Sequence, residues 1–226
     1  MILNRLEFLL MNNPIRAAVQ RHFEARRFLR MGGPVPGVRA LEIGCGRGVG
    51  AEVILDVFGA ATVDAFDLDP RMVAMAQRRL RSRGPQVRLW VGDAAAINAG
   101  DAAYDAVFDF GIIHHVPKWR DVLAEIHRVL RPGGFFFAEE PVGGLLNHPF
   151  MQRLFEHPVE DRFEAADFRS SLLAAGLILL KEEHLLHTMF WFVASKPATA
   201  QGAPPPGSPA TPLCSSGVKE GPPSVS

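Results

Sequence analysis

Short apolar runs alternate with longer stretches of helical periodicity from Arg39 to about residue 194. The runs are rich in β-branched and aromatic residues, and glycine, aspartate or proline separates them from the helical stretches. Helices are predicted over Gly50–Phe58, Arg71–Arg81 and Trp119–Leu130. Seven strands are predicted: Arg39–Ile43, Thr62–Phe66, Val87–Val91, Tyr104–Phe110, Phe135–Ala138, Leu177–His184 and Thr188–Ala194. Because strands joined by crossover helices run parallel, the pattern predicts an α/β fold with a doubly wound sheet covered on both faces.

The last two predicted strands are separated only by the residues between His184 and Thr188. A parallel crossover needs a dozen or more residues, so this connection is too short for one. We expect an antiparallel hairpin at one edge of the sheet.

An N-terminal helical segment is predicted before the sheet, within residues 1–38. Asn13 followed by Pro14 is typical of a helix start, and the helix would run to about Met31. It would place Ile15, Val19, His22 and Phe23 on one face, which we expect to pack on the rim of the domain. Peripheral membrane contact through residues 1–31 is the alternative, since the segment is also rich in arginine.

The chain divides into three parts by composition: the N-terminal helical segment, a domain over residues 39–196, and a tail over residues 197–226. The tail contains eight proline, four glycine and five serine residues. Such a segment buries too little apolar surface to offset the entropy of ordering it, so we expect it to be disordered.

Charge and composition exclude several classes of protein. The 226 residues carry 24 Lys+Arg and 24 Asp+Glu, which gives no excess positive charge for nucleic acid. No apolar run approaches the roughly 18 residues needed to span a bilayer, and the start lacks the pattern of a signal peptide. Two cysteines, Cys45 and Cys214, are too few for a disulfide framework. We expect a cytoplasmic protein.

A glycine-rich turn follows the first strand, in the sequence Glu42-Ile43-Gly44-Cys45-Gly46-Arg47-Gly48-Val49-Gly50. Glycines at this spacing let the backbone approach a ligand closely. The Gly-Lys-Ser/Thr of a nucleotide-binding P-loop is absent, and a dinucleotide fingerprint fits only if it begins late. Glu42 would repel a pyrophosphate, but it suits a ligand that carries an amino group or a positive charge.

Three consecutive strands end in an acidic residue: Glu42, Asp67 and Asp93. In a doubly wound sheet these ends meet at the crevice where ligands bind, and an acid after the second strand typically accepts hydrogen bonds from ribose hydroxyls. Asp69 precedes Pro70 and is expected to cap the next helix. The pattern predicts a binding site for a small molecule with a ribose.

Together these motifs resemble the class I S-adenosylmethionine-dependent methyltransferases, over roughly residues 39–196. The resemblance lies in Leu41–Gly48, Phe66–Pro70, Gly92–Ala94, Tyr104–Val107 and Leu130–Gly134. It implies a seven-stranded Rossmann-like sheet in the order 3-2-1-4-5-7-6, with strand 7 antiparallel, and S-adenosylmethionine as cofactor.

The same resemblance implies roles for individual residues. Glu42 and the glycines Gly44, Gly46 and Gly48 would hold the methionine moiety. Asp67 would bind the ribose, Leu68 a face of the adenine, and Asp93 the adenine amino group. Cys45, Ala94 and Phe110 are also expected at the cofactor site.

The methyl acceptor is expected beside the end of the fourth strand. His115 and His114 are the candidate catalytic residues, with Glu140 after the fifth strand as a third; packing alone is the alternative for the histidine pair. No third ligand accompanies the histidines, so we expect no metal. The aromatic and apolar residues between Pro141 and Phe163 favour an apolar or aromatic acceptor.

The expected function is therefore methyl transfer from S-adenosylmethionine to a small organic acceptor, in the broad group that includes the quinone-ring methyltransferases. Nucleic acid is a less favoured acceptor, because the Asp/Asn-Pro-Pro-aromatic motif of base amino-methylation is absent. Three alternatives stay open. They are a methyltransferase for a lipid or macromolecule, a non-catalytic protein that binds the cofactor, and a nicotinamide-dependent oxidoreductase.

Overall fold

The structure, a computed structural model, describes residues 13–141, 163–185 and 188–198. Seven strands form one sheet in the order β3-β2-β1-β4-β5-β7-β6. Only β7 runs antiparallel to its neighbours. The strands are β1 (Arg39–Ile43), β2 (Thr62–Asp67), β3 (Val87–Val91), β4 (Tyr104–Phe110), β5 (Leu130–Pro141), β6 (Ile178–Leu185) and β7 (Met189–Ser195). The predicted fold class, strand order and edge hairpin are confirmed.

Helices cover both faces of this sheet. They are α1 (Pro14–Val19), α2 (Ala25–Gly32), α3 (Val49–Asp56), α4 (Pro70–Arg79), α5 (Trp119–Val129) and α6 (Ala165–Ala174). One apolar core joins the sheet to α2 and α3, with Phe28, Val53 and Phe137 fully buried. A second core joins it to α5 and α6 around Trp119 and Phe168. This double coverage explains why most side chains of β1, β2 and β4 are buried on both faces of the sheet.

Most strand boundaries agree with the sequence pattern to within two residues, but β5 is longer than predicted. It begins at Leu130 rather than at Phe135, because Leu130 already pairs with Tyr104. The register then shifts. The Gly133 N–H donates to the Lys196 carbonyl oxygen at 2.8 Å, and the Lys196 N–H donates to the Gly134 carbonyl oxygen at 3.0 Å. The segment Leu130–Gly134, which the sequence pattern predicts to precede the strand, is therefore the irregular first part of β5.

The N-terminal helical segment is confirmed, and Asn13 caps it by accepting a 2.9 Å hydrogen bond from the Arg16 N–H. Helices α1 and α2 are joined without a break by a π-helical turn, Gln20–Glu24. The predicted packing face is only partly correct: Phe23 contacts the Trp191 ring on β7, with 6.2 Å between ring centroids, whereas Ile15 and Val19 do not lie on the buried side. Ile15, Val19 and Phe23 are 76%, 40% and 45% exposed.

The side of the segment that packs on the sheet instead carries Gln20, Glu24, Phe28 and Met31. Gln20 and Glu24 are polar, and the periodicity of apolar residues therefore predicts them on the solvent side of the helix. Burial of Glu24 is possible because Arg16 pairs with it at 2.6 Å. None of the helices in the described ranges is long and apolar enough to cross a membrane. Residues 1–12 and 199–226, which hold most of the predicted tail, lie outside the described ranges.

Candidate active site

A cleft opens at the carboxyl ends of β1, β2, β3 and β4. Strands β2 and β3 are added on one side of β1 and β4 on the other, so the strand order reverses between β1 and β4. The register sets Ile43 beside Phe66 on one side and Asp109 on the other, so these strands end level with one another. The empty space is about 1110 Å³, which includes the part open to solvent. This is the place where doubly wound sheets bind ligands.

The cleft gathers all the predicted cofactor residues except Gly48. Asp67, Leu68 and Asp93 line it together with the following residues from the strand ends and the glycine turn: Glu42, Gly44, Cys45, Gly46, Ala94 and Phe110. Gly48 adopts a positive φ of 85° at the start of α3 and packs on α4, where an added Cβ would lie 2.8 Å from Leu80 Cδ1. Its role is to let α3 approach α4.

Gly44 requires glycine for two reasons. Its φ is 68°, and a Cβ there would lie 2.4 Å from the Ile112 side chain. The close approach brings the glycine turn against the segment that follows β4, so the two walls of the cleft meet at this point. A larger residue would force them apart.

Glu42 presents a buried carboxylate to the cleft. It is 2% exposed, and its Oε2 has no hydrogen-bond partner among the described residues. Burial raises the pKa of Glu42 well above its ordinary value, and the neighbouring carboxylate of Asp67 adds to the rise. A buried carboxylate oxygen without a donor is costly unless a cationic ligand group completes it. The site therefore fits a ligand ammonium group.

Asp67 organises the loops on either side of it. Its Oδ2 accepts a hydrogen bond from the Gly46 N–H at 2.9 Å, and its Oδ1 accepts one from the Asp69 N–H at 2.9 Å. Burial raises the pKa of Asp67, which these two donors counteract. The remaining lone pairs of an ionised carboxylate can still accept hydrogen bonds from hydroxyl groups in the cleft.

Asp69 is confirmed as a helix cap. Its Oδ1 accepts a 2.9 Å hydrogen bond from the Arg71 N–H at the first turn of α4. Asp69 Oδ2 also pairs with Arg71 Nη2 at 2.6 Å, and these bonds lower the pKa of Asp69. Both oxygens of the Asp69 carboxylate are thus bonded to Arg71 at the start of α4.

The remaining lining residues give the cleft a mixed surface. Leu68 is 45% exposed and offers an apolar edge near Asp93. The Asp93 carboxylate accepts a 2.9 Å hydrogen bond from the Ala95 N–H. Burial raises the pKa of the Cys45 thiol, which keeps it protonated and unreactive. Cys45 serves as a small apolar wall.

The two candidate histidines occupy different positions. His115 lines the cleft, whereas the His114 side chain turns toward β5, where its Nδ1 lies 2.6 Å from Glu140 Oε2. Their rings lie 4.0 Å apart between centroids. Both belong to a 3₁₀ turn, Ile113–His115, that follows β4. Of the pair, only His115 is placed to meet a ligand.

Glu140 does not face the cleft, and its prediction as an acceptor-facing residue is wrong. It is 0% exposed and accepts a 2.6 Å hydrogen bond from the Ile113 N–H as well as the contact from His114. A carboxylate used in this way cannot reach an acceptor. It holds the 3₁₀ turn that carries His115.

Asp109 forms a carboxyl pair with Glu140 beneath this turn. Asp109 is 0% exposed and accepts a 2.9 Å hydrogen bond from the Ile112 N–H. Burial raises the pKa of Asp109 well above its ordinary value, and the charge of Glu140 adds to the rise. Two buried carboxyl groups in contact are stable when they share a proton. We therefore expect Asp109 and Glu140 to share a proton beneath the turn.

The N-terminal segment closes one side of the cleft through Arg16, Ala17 and Gln20. Arg16 Nη1 lies 2.6 Å from Glu24 Oε1, and its Nη2 lies 3.1 Å from Glu139 Oε1 on β5. Trp191 on β7 donates to the other oxygen of Glu139 at 2.7 Å. This network fixes the segment over the sheet.

The sequence analysis predicted that the N-terminal segment packs on the rim of the domain, and it assigned no site residue to the segment. No local motif marks Arg16 or Gln20, because their position depends on the π-helical turn and on Glu139, more than a hundred positions away in the chain. The acceptor pocket predicted between Pro141 and Phe163 lies almost wholly outside the described residues. Among the described residues, no group of three or more His, Cys, Asp and Glu side chains could hold a metal ion.

Comparison with known proteins agrees with the fold and the motifs. Residues 40–134 match the family described as a methyltransferase domain. The fatty-acid O-methyltransferase of Mycolicibacterium smegmatis is 37% identical over 102 residues, which are 45% of this chain and 36% of that protein. The match thus spans well under half of that relative's length.

Two solved structures share the fold at low identity. Geranyl diphosphate C-methyltransferase from Streptomyces coelicolor, in complex with Mg²⁺, geranyl diphosphate and S-adenosyl-L-homocysteine, superposes with a TM-score of 0.65 at 14% identity. The superposition covers 76% of this chain and 79% of that one. The [4+2]-cyclase SpnF superposes with a TM-score of 0.64 at 21% identity, over 77% of this chain and 81% of that one. These likenesses concern the fold alone.

The strand order, the acids at the strand ends and the family match define a Rossmann-like domain of the class I methyltransferase type. The family match covers residues 40–134, which include the glycine-rich turn and the strand-end acids Glu42, Asp67 and Asp93.

Proposed function

We propose that this chain binds S-adenosylmethionine in the cleft and transfers its methyl group to a small organic acceptor of apolar or aromatic character. The observation that carries the proposal is the unpaired, buried Glu42 Oε2 in a cleft that Asp67 and the glycine turn also line. Glu42 would hold the ammonium of the methionine moiety and Asp67 the ribose hydroxyls. Leu68 and Asp93 would contact the adenine.

When bound, S-adenosylmethionine supplies a methyl group activated by its sulfonium. The residues of this chain mainly have to align the acceptor and exclude water, since in-line displacement of a sulfonium needs little covalent assistance. The wall formed by Arg16, Ala17 and Gln20 contributes to both tasks.

His115 is the residue placed to accept a proton when the acceptor loses one. It lines the cleft beside Gly111 and Ile112, at the end of β4. An imidazole titrates near neutral pH, which suits a general base for a phenol or an acidic carbon. An acceptor without such a proton would need only the position of His115, not its basicity.

An apolar acceptor is supported by two observations of different kinds. The described end of the cleft near His115 includes Ile112 and Val116. A relative that resembles this chain over less than half its own length is a fatty-acid O-methyltransferase. The SpnF cyclase has a similar fold, so the reaction has to be measured.

Calorimetry with S-adenosylmethionine tests the binding step. Wild-type protein should bind it in preference to NAD⁺, and Asp67→Ala should weaken binding by roughly 1–3 kcal/mol through lost hydrogen bonds. Asp121→Asn, an exposed acid on α5 that does not line the cleft, is the matched control and should bind normally. Equal affinity of the Asp67 variant and the wild type would remove Asp67 from the site.

A screen of metabolite and lipid extracts with methyl-labelled cofactor, followed by mass spectrometry, tests the transfer step. A labelled small product would identify the acceptor, and His115→Ala should lower its formation while it leaves cofactor affinity unchanged. Cofactor binding with no S-adenosylhomocysteine formed from any extract would favour a non-catalytic binding protein instead.

A further inference from the structure

The outward face of the N-terminal segment carries three large apolar side chains at helical spacing. Ile15, Val19 and Phe23 are 76%, 40% and 45% exposed. Ile15 and Val19, four residues apart on α1, share one side of it. Phe23 lies in the π-helical turn that follows; one edge of its ring meets Trp191, and the rest is open to solvent. Scattered apolar side chains are normal on a surface, but a cluster of this kind on one helical segment is typical of a contact site.

Two arginine side chains extend this face toward the end of α2. Arg26 and Arg30 are exposed, and neither side chain forms an ion pair with any described residue. Lys181 Nζ lies 3.3 Å from the Arg30 carbonyl oxygen and adds a third cationic group beside them. Glu24, the acidic residue of the segment, is buried on the opposite side. The exposed face of the segment is therefore apolar and cationic, without a carboxylate of its own.

The flanks of the segment are different from this face. Arg21 pairs with Asp56 at 3.0 Å, and Arg27 pairs with Glu183 at 3.1 Å. These arginines hold the segment to the domain. Arg26 and Arg30 remain available to a partner outside the described part of the chain.

The opposite side of the segment forms a wall of the cleft, as Arg16, Ala17 and Gln20 show. One short helical segment thus separates the cleft from the apolar and cationic face. A surface bound by that face would lie next to the cleft.

We propose that the face formed by Ile15, Val19, Phe23, Arg26 and Arg30, hereafter the outer face, binds the surface of an anionic phospholipid bilayer. Helices of this composition lie in the bilayer interface with their apolar side chains among the acyl chains. Each Lys or Arg near an anionic surface adds about 1 kcal/mol of attraction. If the proposed methyl transfer is correct, an apolar acceptor dissolved in the bilayer reaches the cleft directly.

A second copy of this chain fits the outer face less well. A two-fold interface places the same surface patch on both subunits, so Arg26 and Arg30 of one copy would approach those of the other. Like charges without counter-charges destabilise such an interface. Charge complementarity thus favours an anionic lipid surface.

Co-sedimentation with vesicles tests the proposal without any need for catalysis. The full chain is mixed with phosphatidylcholine vesicles that contain or lack phosphatidylglycerol, at low and at high salt. We expect binding to the anionic vesicles only, weakened by salt because the attraction is screened.

Two variants identify the surface. Ile15→Ser/Val19→Ser/Phe23→Ser should weaken binding at least tenfold, and Arg26→Gln/Arg30→Gln roughly tenfold. Leu173→Ser is the matched control: Leu173 is 60% exposed on α6, across the sheet from the outer face, and its loss should leave binding unchanged.

Several results would overturn the proposal. These are no binding of the wild type to anionic vesicles, or binding that the triple variant retains. A large drop in the unfolding temperature of the triple variant would show that Ile15, Val19 and Phe23 are covered by other residues of the chain, such as residues 1–12. A wild-type dimer that the triple variant converts to a monomer would assign the face to a second copy. Because cofactor affinity is measured separately, failure here leaves the proposed function standing.

Discussion

The carboxylate of Glu140 lies 2.6 Å from Nδ1 of His114 and is fully buried beneath the turn that carries His115. Glu140 also accepts a hydrogen bond from the Ile113 N–H. A single side chain on β5 therefore fixes both the backbone and the first imidazole of this turn. His115 owes its place in the cleft to a residue that does not itself reach the cleft.

The first prediction concerns this support. Glu140→Gln keeps the shape of the side chain, but the amide has one acceptor oxygen, whereas Glu140 uses its two oxygens for the Ile113 N–H and for His114. We expect the turn to loosen, with altered NMR chemical shifts of the His115 imidazole and lower turnover. Cofactor affinity should change little.

Glu183→Gln serves as the control, because Glu183 is partly exposed on β6 and pairs with Arg27, not with the turn. It should reproduce the wild-type histidine signals. If Glu140→Gln also leaves those signals and the turnover unchanged, Glu140 does not position His115.

The second prediction concerns Gly50. A Cβ at this position would lie 1.8 Å from Glu42 Oε1, so Gly50→Ala must displace the Glu42 carboxylate. We expect affinity for S-adenosylmethionine to fall by about tenfold or more, as for the loss of a charge-assisted hydrogen bond. Gly84→Ala, where an added Cβ meets nothing within 4 Å, should bind the cofactor normally in the same calorimetric assay.

The third prediction concerns pH. Burial raises the pKa of Glu140 from its ordinary 4.5 to about 7, and burial raises the pKa of Asp109 well above its ordinary value. Between the ordinary and the raised pKa, the native protein holds protons that the unfolded chain has released. The free energy of unfolding should therefore fall as the pH rises from about 4.5 through 7.

Asp109→Asn tests this assignment, since the amide can still donate to Glu140 but cannot titrate. In urea unfolding between pH 5 and 8, its stability should decline less steeply than that of the wild type, by up to about 1.4 kcal/mol per pH unit. Asp56→Asn, at the surface, should follow the wild type. Parallel curves for Asp109→Asn and the wild type would contradict the shared-proton pair.

The fourth prediction concerns Arg16, which holds Glu24 and Glu139 together. Burial raises the pKa of Glu139 well above its ordinary value, Glu24 adds to the rise, and Arg16 opposes it. Arg16→Gln should lower the free energy of unfolding by about 1–3 kcal/mol, because two buried carboxyl groups lose their cation.

A second change isolates the cause. Glu24→Gln in the Arg16→Gln background should restore part of the lost stability, since it removes one of the two carboxyl groups. Arg21→Gln breaks a surface ion pair on the same segment and should cost less than about 1 kcal/mol. Strictly additive effects of the Arg16 and Glu24 changes would argue against a coupled network.

The alternation of strands and helices, the edge hairpin, the Asp69 cap and the meeting of Glu42, Asp67 and Asp93 at one cleft were all predictable from the sequence. They depend on local periodicity, on turn residues and on the rule that parallel strands end at one edge. The packing face of the N-terminal segment and the role of Glu140 were mispredicted for one reason: both depend on which buried partner a polar side chain meets, and the partner lies far away in the chain. Glu139 and Glu140 are adjacent acids of the same type, and only their partners distinguish them.

The amino-acid sequence by itself determined which elements form, in what order, and which acids stand at the strand ends, because those properties follow from neighbouring residues. The tertiary structure decided which polar groups are buried and paired. Arg16 pairs with Glu139, which is 123 positions away in the chain, and Glu140 contacts His114, which is 26 positions away. A buried charge is tolerated only where a partner meets it, and that partner is set by packing rather than by sequence spacing.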